Sequence, residues 1–374
     1  MNIQKIPVFL LTGFLASGKT TLLKSWLESE LLKDAALIIN ELGEVGLDNQ
    51  LLANASESAA LVPNACVCCS GLPALNQALE DLFWARLERR IPRFPNLVIE
   101  TTGLASPGPI LASFEDSALV NERYECMGTI TCLSAATASE VLSSHPEAKE
   151  QLKAANVCIL TKTDQVSEAQ LQTLRLNLEE LFAQSHQSTP ILTSSNANLP
   201  VQTVLKALHQ AHDHRLCHST SEKAEGAGHT HPEQSAHEHQ HDECSTQHHH
   251  EHEHGPAHAT PHNHHRAQAY FWPIADHSDH QALQSEITAL KSLLGDQLLR
   301  LKGRVKDNQG AWLMQMAPFD QALSVQVDPV MSNHSSHDEA LQAPKGLTLI
   351  VSLPLNAQQT QALLSKAHLQ TPQP

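Results

Sequence analysis

Gly13-Phe14-Leu15-Ala16-Ser17-Gly18-Lys19-Thr20 follows the apolar run Ile6–Leu11 and opens a stretch that reads as a helix from Lys19 to about Leu32. A Gly-x4-Gly-Lys-Thr loop between a strand and a helix is a phosphate-binding loop. Its glycines let backbone N–H groups wrap an anion at a helix N-terminus, where the dipole favours negative charge. Gly13, Ala16, Ser17, Gly18, Lys19, Thr20 and Thr21 are therefore the expected nucleotide-binding residues. Lys19 supplies a point charge to the β- and γ-phosphates, and the Thr20 hydroxyl is offered to Mg²⁺.

Downstream, Glu100-Thr101-Thr102-Gly103 closes the apolar run Leu97-Val98-Ile99. A carboxylate at the end of a buried strand beside a phosphate loop is placed to hold Mg²⁺ or its waters, and Gly103 lets a backbone N–H approach the γ-phosphate. Lys19, Thr20 and Glu100 are the expected catalytic set. Thr161-Lys162-Thr163-Asp164 follows Val157–Leu160. A carboxylate there accepts the N1–H and N2 amino protons of guanine, a donor pair that adenine lacks, while the lysine stem covers the base. Asp164 thus favours GTP over ATP. Thr161 stands where such sites usually carry Asn, which leaves one base contact open.

Residues 1–210 alternate short β-branched runs with longer amphipathic stretches, the pattern of an α/β domain with a largely parallel sheet. Strands are expected at Ala35–Asn40, Leu97–Glu100, Gly128–Leu133, Val157–Leu160 and Ile191–Thr193, and helices at Pro73–Arg90 and Glu168–Ala183. Residues 211–267 change character abruptly. His212–His265 holds 17 of the 25 histidines and has Leu216 as its only large aliphatic residue, so it is expected to be a disordered tether. Closely spaced imidazoles would make it a collecting arm for Zn²⁺, Ni²⁺ or Cu²⁺. Residues 268–374 alternate strand candidates with the helices Asp279–Leu294 and Ala357–Ala367, a small α+β domain.

Cys66-Val67-Cys68-Cys69 lies between the phosphate loop and Glu100. Thiolates are soft donors suited to Zn²⁺ and able to take Co²⁺. Neighbouring side chains alternate in direction, so two of Cys66, Cys68 and Cys69 could bind one ion with a histidine or carboxylate completing the set. Across the chain of 374 residues, 40 Asp+Glu against 24 Lys+Arg give a net charge of −16, which argues against nucleic acid or an anionic membrane as the main partner. The 8 cysteines show no disulfide-framework spacing, and neither a normal signal core nor a membrane-length apolar run is present. A cytoplasmic location is expected.

Thr12–Thr21, Asn40–Asp48, Cys66–Cys69 and Glu100–Ala105 occur in the order and spacing of the CobW-type GTPases, which the chain resembles over nearly its whole length apart from the tether. Leu298–Gly303 looks like the signature of that family's C-terminal domain. The resemblance implies Mg²⁺–GTP at the phosphate loop, zinc or cobalt at the cysteines, and delivery to a client metalloprotein. It makes Asn40–Asp48 a switch-like loop, and it marks Ser134 as a departure where an Asp commonly ends the central strand. Zinc storage or sensing with little nucleotide turnover, or cobalt delivery for cobalamin synthesis, are the alternative functions.

Overall fold

A computed structural model describes residues 5–39, 61–62, 72–185, 188–211, 267–274, 279–320, 322–327 and 346–369. The switch-like loop Asn40–Asp48, the cysteines Cys66, Cys68 and Cys69, and the histidine-rich segment over 212–266 lie outside the described residues.

The N-terminal sheet comprises β1 (Ile6–Thr12), β2 (Ala36–Ile39), β3 (Leu61–Val62), β4 (Leu97–Glu100), β5 (Tyr124–Ser134), β6 (Val157–Thr161) and β7 (Ile191–Thr193). Their order is β3-β2-β4-β1-β5-β6-β7, with every pairing parallel. Helices α1 (Lys19–Leu27), α2 (Leu72–Leu87), α3 (Pro107–Asp116), α4 (Ala118–Arg123), α5 (Ala138–Ser144), α6 (Pro146–Lys153), α7 (Glu168–Gln184) and α8 (201–211) connect and follow the strands. Strand alternation divides the core between the two faces. Phe9, Leu11, Leu37, Ile39 and Val98 pack with α1 and α8, whereas Val8, Leu10, Ile38, Leu97 and Ile99 pack with α2, α3 and α4. Both faces are covered, which is why these strands read as continuous apolar runs.

Two expected elements have different bounds. The helix expected over Pro73–Arg90 stops at Leu87, because Arg89 turns left-handed at φ 60° and the Arg90 N–H reaches back to the Ala85 carbonyl at 2.9 Å. The strand expected at Gly128–Leu133 begins at Tyr124. It passes through a register shift against β1 at Val8/Phe9, where Gly128 adopts φ 136°.

The second sheet is antiparallel throughout and is built from β8 (Ala267–Pro273), β9 (Leu298–Lys306), β10 (Ala311–Met316), β11 (Ser324–Val327), β12 (Gly346–Ser352) and β13 (His368–Leu369). Helices α9 (His280–Leu294) and α10 (Ala357–Leu364) cover one face. Leu283, Ile287, Leu290 and Leu294 form the α9 stripe, packed on Leu301, Val305, Leu347 and Leu349. The closing helix ends at Leu364 rather than Ala367, because the Lys366 and Ala367 amides both turn back to the Leu363 carbonyl. Among the described residues, no helix is long and apolar enough to cross a membrane.

Asp279, His280 and Asp307 are the described residues whose carboxylate and imidazole ligand atoms cluster within 4.8 Å of one another. Their hydrogen bonds mark a structural clasp. Asp307 Oδ1 accepts from the amides of Gln309 and Gly310 and from Trp312 Nε1, while Oδ2 faces His280 Nδ1 at 2.5 Å and accepts from the His280 amide. Asp279 is the N-cap of α9. Burial pushes the Asp307 pKa up, but hydrogen bonds from Trp312, His280 and the backbone pull it well below the usual carboxylate range. The ionised form is therefore favoured by folding. Its contribution is complete above the unfolded carboxylate value of about 4 and is lost as pH falls below it. The Trp312 indole N–H resonance of the folded protein should hold its position as the pH falls through about 4 and shift only well below it. Asp307→Asn should lower stability at neutral pH and flatten the acid-unfolding profile, and identical profiles would refute the clasp.

Candidate functional site

The site lies at the carboxyl ends of the parallel strands, where open α/β sheets bind ligands. Glu100 is paired with Leu11 on one side and Ile39 on the other, so the ends of β1, β2 and β4 converge on one carboxylate. After β1 the chain turns through Gly13 (φ 140°), Ala16 (φ 59°) and Gly18 (φ 87°) before entering α1. At Gly13 the turn demands glycine, since a Cβ would lie 2.2 Å from the Cys132 carbonyl oxygen and 2.8 Å from Ser17 Oγ. The buried Lys19 ammonium donates to the carbonyls of Gly13 (2.7 Å) and Phe14 (3.1 Å) and lies 3.5 Å from Ser17 Oγ. These contacts fold the lysine across its own loop and fix the positive charge at the helix N-terminus.

The Thr20 hydroxyl donates to Glu100 Oε1 at 2.6 Å. A hydroxyl and a buried carboxylate in contact are two hard oxygen donors, a set that fits Mg²⁺. Thr101 continues the junction, its amide donating to the Leu11 carbonyl at 2.9 Å and its hydroxyl to Thr12 Oγ1 at 2.8 Å. Gly103 then passes so close to the phosphate loop that a Cβ would lie 2.5 Å from the Leu15 amide nitrogen. Gln151 on α6 fixes this passage by donating to the carbonyls of Gly103 (3.1 Å) and Ala105 (3.0 Å). Nothing in the sequence around Gln151 signalled that role, which exists only once α6 packs against the loop.

Thr161 uses its hydroxyl on the phosphate loop, donating to the Ser17 carbonyl at 2.7 Å. Its side chain also faces Gly18. This is a tie between two loops. Lys162 is left-handed at φ 54°, and the exposed Asp164 accepts the Asn196 amide on Oδ1 at 3.0 Å. A carboxylate has about four acceptor positions, so most of Asp164 stays available to a ligand. The partner loop, Ser194–Asn198, has Asn196 and Ala197 at φ 48° and 58° and is bridged from Ser195 to Asn198. Its Ser-Ser-Asn composition after a short strand marks a turn, and that was its only legible signal. Ser134 at the end of β5 is buried, and its Oγ has no hydrogen-bond partner among the described residues.

Cys132 lies beneath this site. Burial raises its pKa to about 12, Lys19 opposes the shift and Glu100 adds to it, so the thiol is neutral near pH 7. The structure thus brings Gly13, Ala16, Ser17, Gly18, Lys19, Thr20, Glu100, Gly103 and Thr161 together. Lys162 and Asp164 stand on the loop after β6, and Thr21 continues α1.

The chain matches the CobW/HypB/UreG nucleotide-binding domain family over residues 7–189. It is 37% identical over 194 residues to the zinc chaperone YjiA of Escherichia coli, covering 52% of this chain and 59% of that protein. It is 33% identical over 181 residues to the zinc-regulated GTPase metalloprotein activator 1 of Schizosaccharomyces pombe, covering 46% of this chain and 43% of that one. The chain thus spans roughly half the length of these curated relatives. The Zn(II)-bound YjiA GTPase from E. coli aligns over 97% of this chain and 99% of its own at 21% identity, with a TM-score of 0.40.

Gly103→Ala should cost about 1–3 kcal/mol by forcing the phosphate loop aside. Thr161→Val should cost about 0.5–1.5 kcal/mol by removing the tie to Ser17. Chemical denaturation of each variant checks both, and a Gly103→Ala protein as stable as wild type would contradict the close approach.

Proposed function

We propose that the chain is a GTP-hydrolysing metallochaperone of the CobW/HypB/UreG family, whose nucleotide-binding domain it matches over residues 7–189. In this reading, nucleotide turnover at Gly13–Thr20 controls a zinc ion held by Cys66, Cys68 and Cys69 and passed to a client metalloprotein. The observation that carries the reading is the junction of Lys19, Thr20 and Glu100 at the carboxyl ends of β1 and β4. The zinc named for the relatives from E. coli and S. pombe supports zinc over cobalt.

The chain's own groups divide the work. Lys19 and the amides of the phosphate loop stabilise charge on the β- and γ-phosphates. Thr20 and Glu100 would hold Mg²⁺, which when bound neutralises phosphate charge. Asp164 selects guanine, with Lys162 covering the base and Thr161 holding the loop that carries both against Ser17. Glu100 is fixed between Leu11 and Ile39 and cannot move without disturbing both neighbouring strands. The switch-like Asn40–Asp48 follows β2 directly, and the cysteines fall between β3 and α2. A γ-phosphate that orders Asn40–Asp48 on one side and Gly103 on the other would bracket the thiolates, and hydrolysis would release both. The histidine-rich segment serves this scheme as a collecting arm.

Lys19→Ala and Glu100→Gln should each lower GTP turnover at least about 100-fold. Asp164→Ala should erase the preference for GTP over ATP, and a variant that still prefers GTP would remove Asp164 from base recognition. By reciprocity, zinc affinity should be higher with a non-hydrolysable GTP analogue than with GDP, and the difference should vanish when Cys66, Cys68 and Cys69 are all changed to Ser. Equal zinc affinities in the two nucleotide states of wild type would sink the coupling and favour zinc storage.

A further inference from the structure

Phe14 and Leu15 occupy interior positions of the phosphate loop, yet both side chains are buried away from it in a cluster of their own. That cluster joins them to Leu104 of the Gly103 loop, to Val141 and Ala148, and to Leu299 of β9 and Ile350 of β12. Phe319, from the turn after β10, packs against the same group. The face of the antiparallel sheet opposite α9 and α10 is thus seated on two loops of the nucleotide site at once.

His145 is the hinge of the contact. Its ring stacks on Phe14 with centroids 4.4 Å apart and planes at 26°, and it lies 6.0 Å from the Phe319 ring. The same residue precedes α6, whose Gln151 holds the carbonyls of Gly103 and Ala105. A single segment therefore grips the Gly103 loop from one side and is sandwiched between the phosphate loop and the second sheet.

Phe319 adopts φ 65°. A bulky residue in the left-handed region is an outlier that persists only where its surroundings over-determine it, and such residues cluster at functional contacts. The turn is locked by Asp320, whose Oδ2 accepts the Ala317 amide at 2.7 Å and whose own amide donates to the Ala317 carbonyl. The strain is offset where the ring meets His145 and the phosphate-loop cluster.

We propose that Phe319, backed by Leu299 and Ile350, is a positioning residue for the nucleotide reaction: docking of the antiparallel domain holds Phe14–Leu15 and Leu104, and so sets the geometry of the phosphate loop and the Gly103 loop. The proposal rests on the reading of Gly13–Thr20 as the nucleotide site. Coupling of this kind runs both ways, so the bound nucleotide also sets how firmly the antiparallel domain is docked, and that domain becomes the part of the molecule through which a client could sense nucleotide state.

The test compares full-length wild type, Phe319→Gly, Phe319→Tyr and the exposed-site control Val327→Ala. Glycine removes the ring while relieving the left-handed backbone, which offsets part of the lost packing, so the variant should still fold, with a melting temperature below that of wild type. Without nucleotide, hydrogen exchange at amides 14–18 and 103–105 should quicken about 10-fold in Phe319→Gly, the scale of an aromatic contact. GTP and GDP binding, followed with fluorescent analogues, should weaken unequally, and KM should change by about 3- to 10-fold with a smaller change in kcat. Phe319→Tyr should restore both readouts, and Val327→Ala should leave both unmoved. Unchanged exchange at the two loops in Phe319→Gly, with GTP binding intact, overturns the proposal alone. A wild-type protein that binds neither nucleotide overturns the reading of the site and the proposal with it.

Discussion

The parallel pairing of Leu11 with Glu100 places the end of β1 beside the end of β4 and brings the Thr20 hydroxyl to Glu100 Oε1. Everything that follows β1 is constrained by it. The chain must leave Thr12, clear the carbonyl of Cys132 and return to α1 without withdrawing Thr20 from Glu100. It does so with three left-handed residues in quick succession, of which Ala16 alone carries a side chain. Their conformational cost is offset where the loop is tied down: Lys19 on the carbonyls of Gly13 and Phe14, Thr161 on the carbonyl of Ser17, and Phe14 and Leu15 in an apolar cluster. The loop is pre-organised from three directions, which is what a site that stabilises charge electrostatically requires.

The same constraint explains why small residues cannot drift here. Gly103 passes against the Leu15 backbone, so the distance between the two phosphate-facing loops is set by the absence of a single methyl group. Gln151 holds that passage from the far side with two hydrogen bonds through one amide nitrogen. A rigid pair of loops is also a good transmitter. Displacement of Leu15 must displace Gly103 or open a gap, and close-packed interiors resist both.

Legibility in the sequence followed the range of the interactions. Gly13–Thr20, Glu100 and Gly103 were readable because their chemistry is local, a turn needing glycine next to a helix needing an anion. The α9 stripe of Leu283, Ile287, Leu290 and Leu294 was readable because it repeats at helical spacing. Helix α3 was not among the expected helices, although proline is well suited to a first helical turn. β5 was foreshortened because Gly128 interrupts its apolar run, and only pairing with β1 shows that the glycine serves a bulge. Phe14 and Leu15 had no assigned role, because the partners that bury them, Leu299, Ile350 and His145, are brought in by the tertiary fold. Thr161 left one base contact open in the sequence, and its hydrogen bond to the Ser17 carbonyl is brought in only by the tertiary fold.

Of the described cysteines, Cys132 and Cys158 are fully buried, and burial favours their neutral thiols over thiolates, so a soft metal ion would have to enter the core and displace a proton to reach either. The Asp279–His280–Asp307 cluster is no better suited, because both Asp307 oxygens are engaged by N–H groups and Asp279 caps α9. A cation entering there would have to break the hairpin turn and the helix start together. In chain order Cys66, Cys68 and Cys69 follow β3, which pairs with β2, and the last residue of β2 pairs with Glu100. In the proposed scheme, a signal from the carboxylate beside Thr20 to the strand that precedes these cysteines has one strand, β2, to cross.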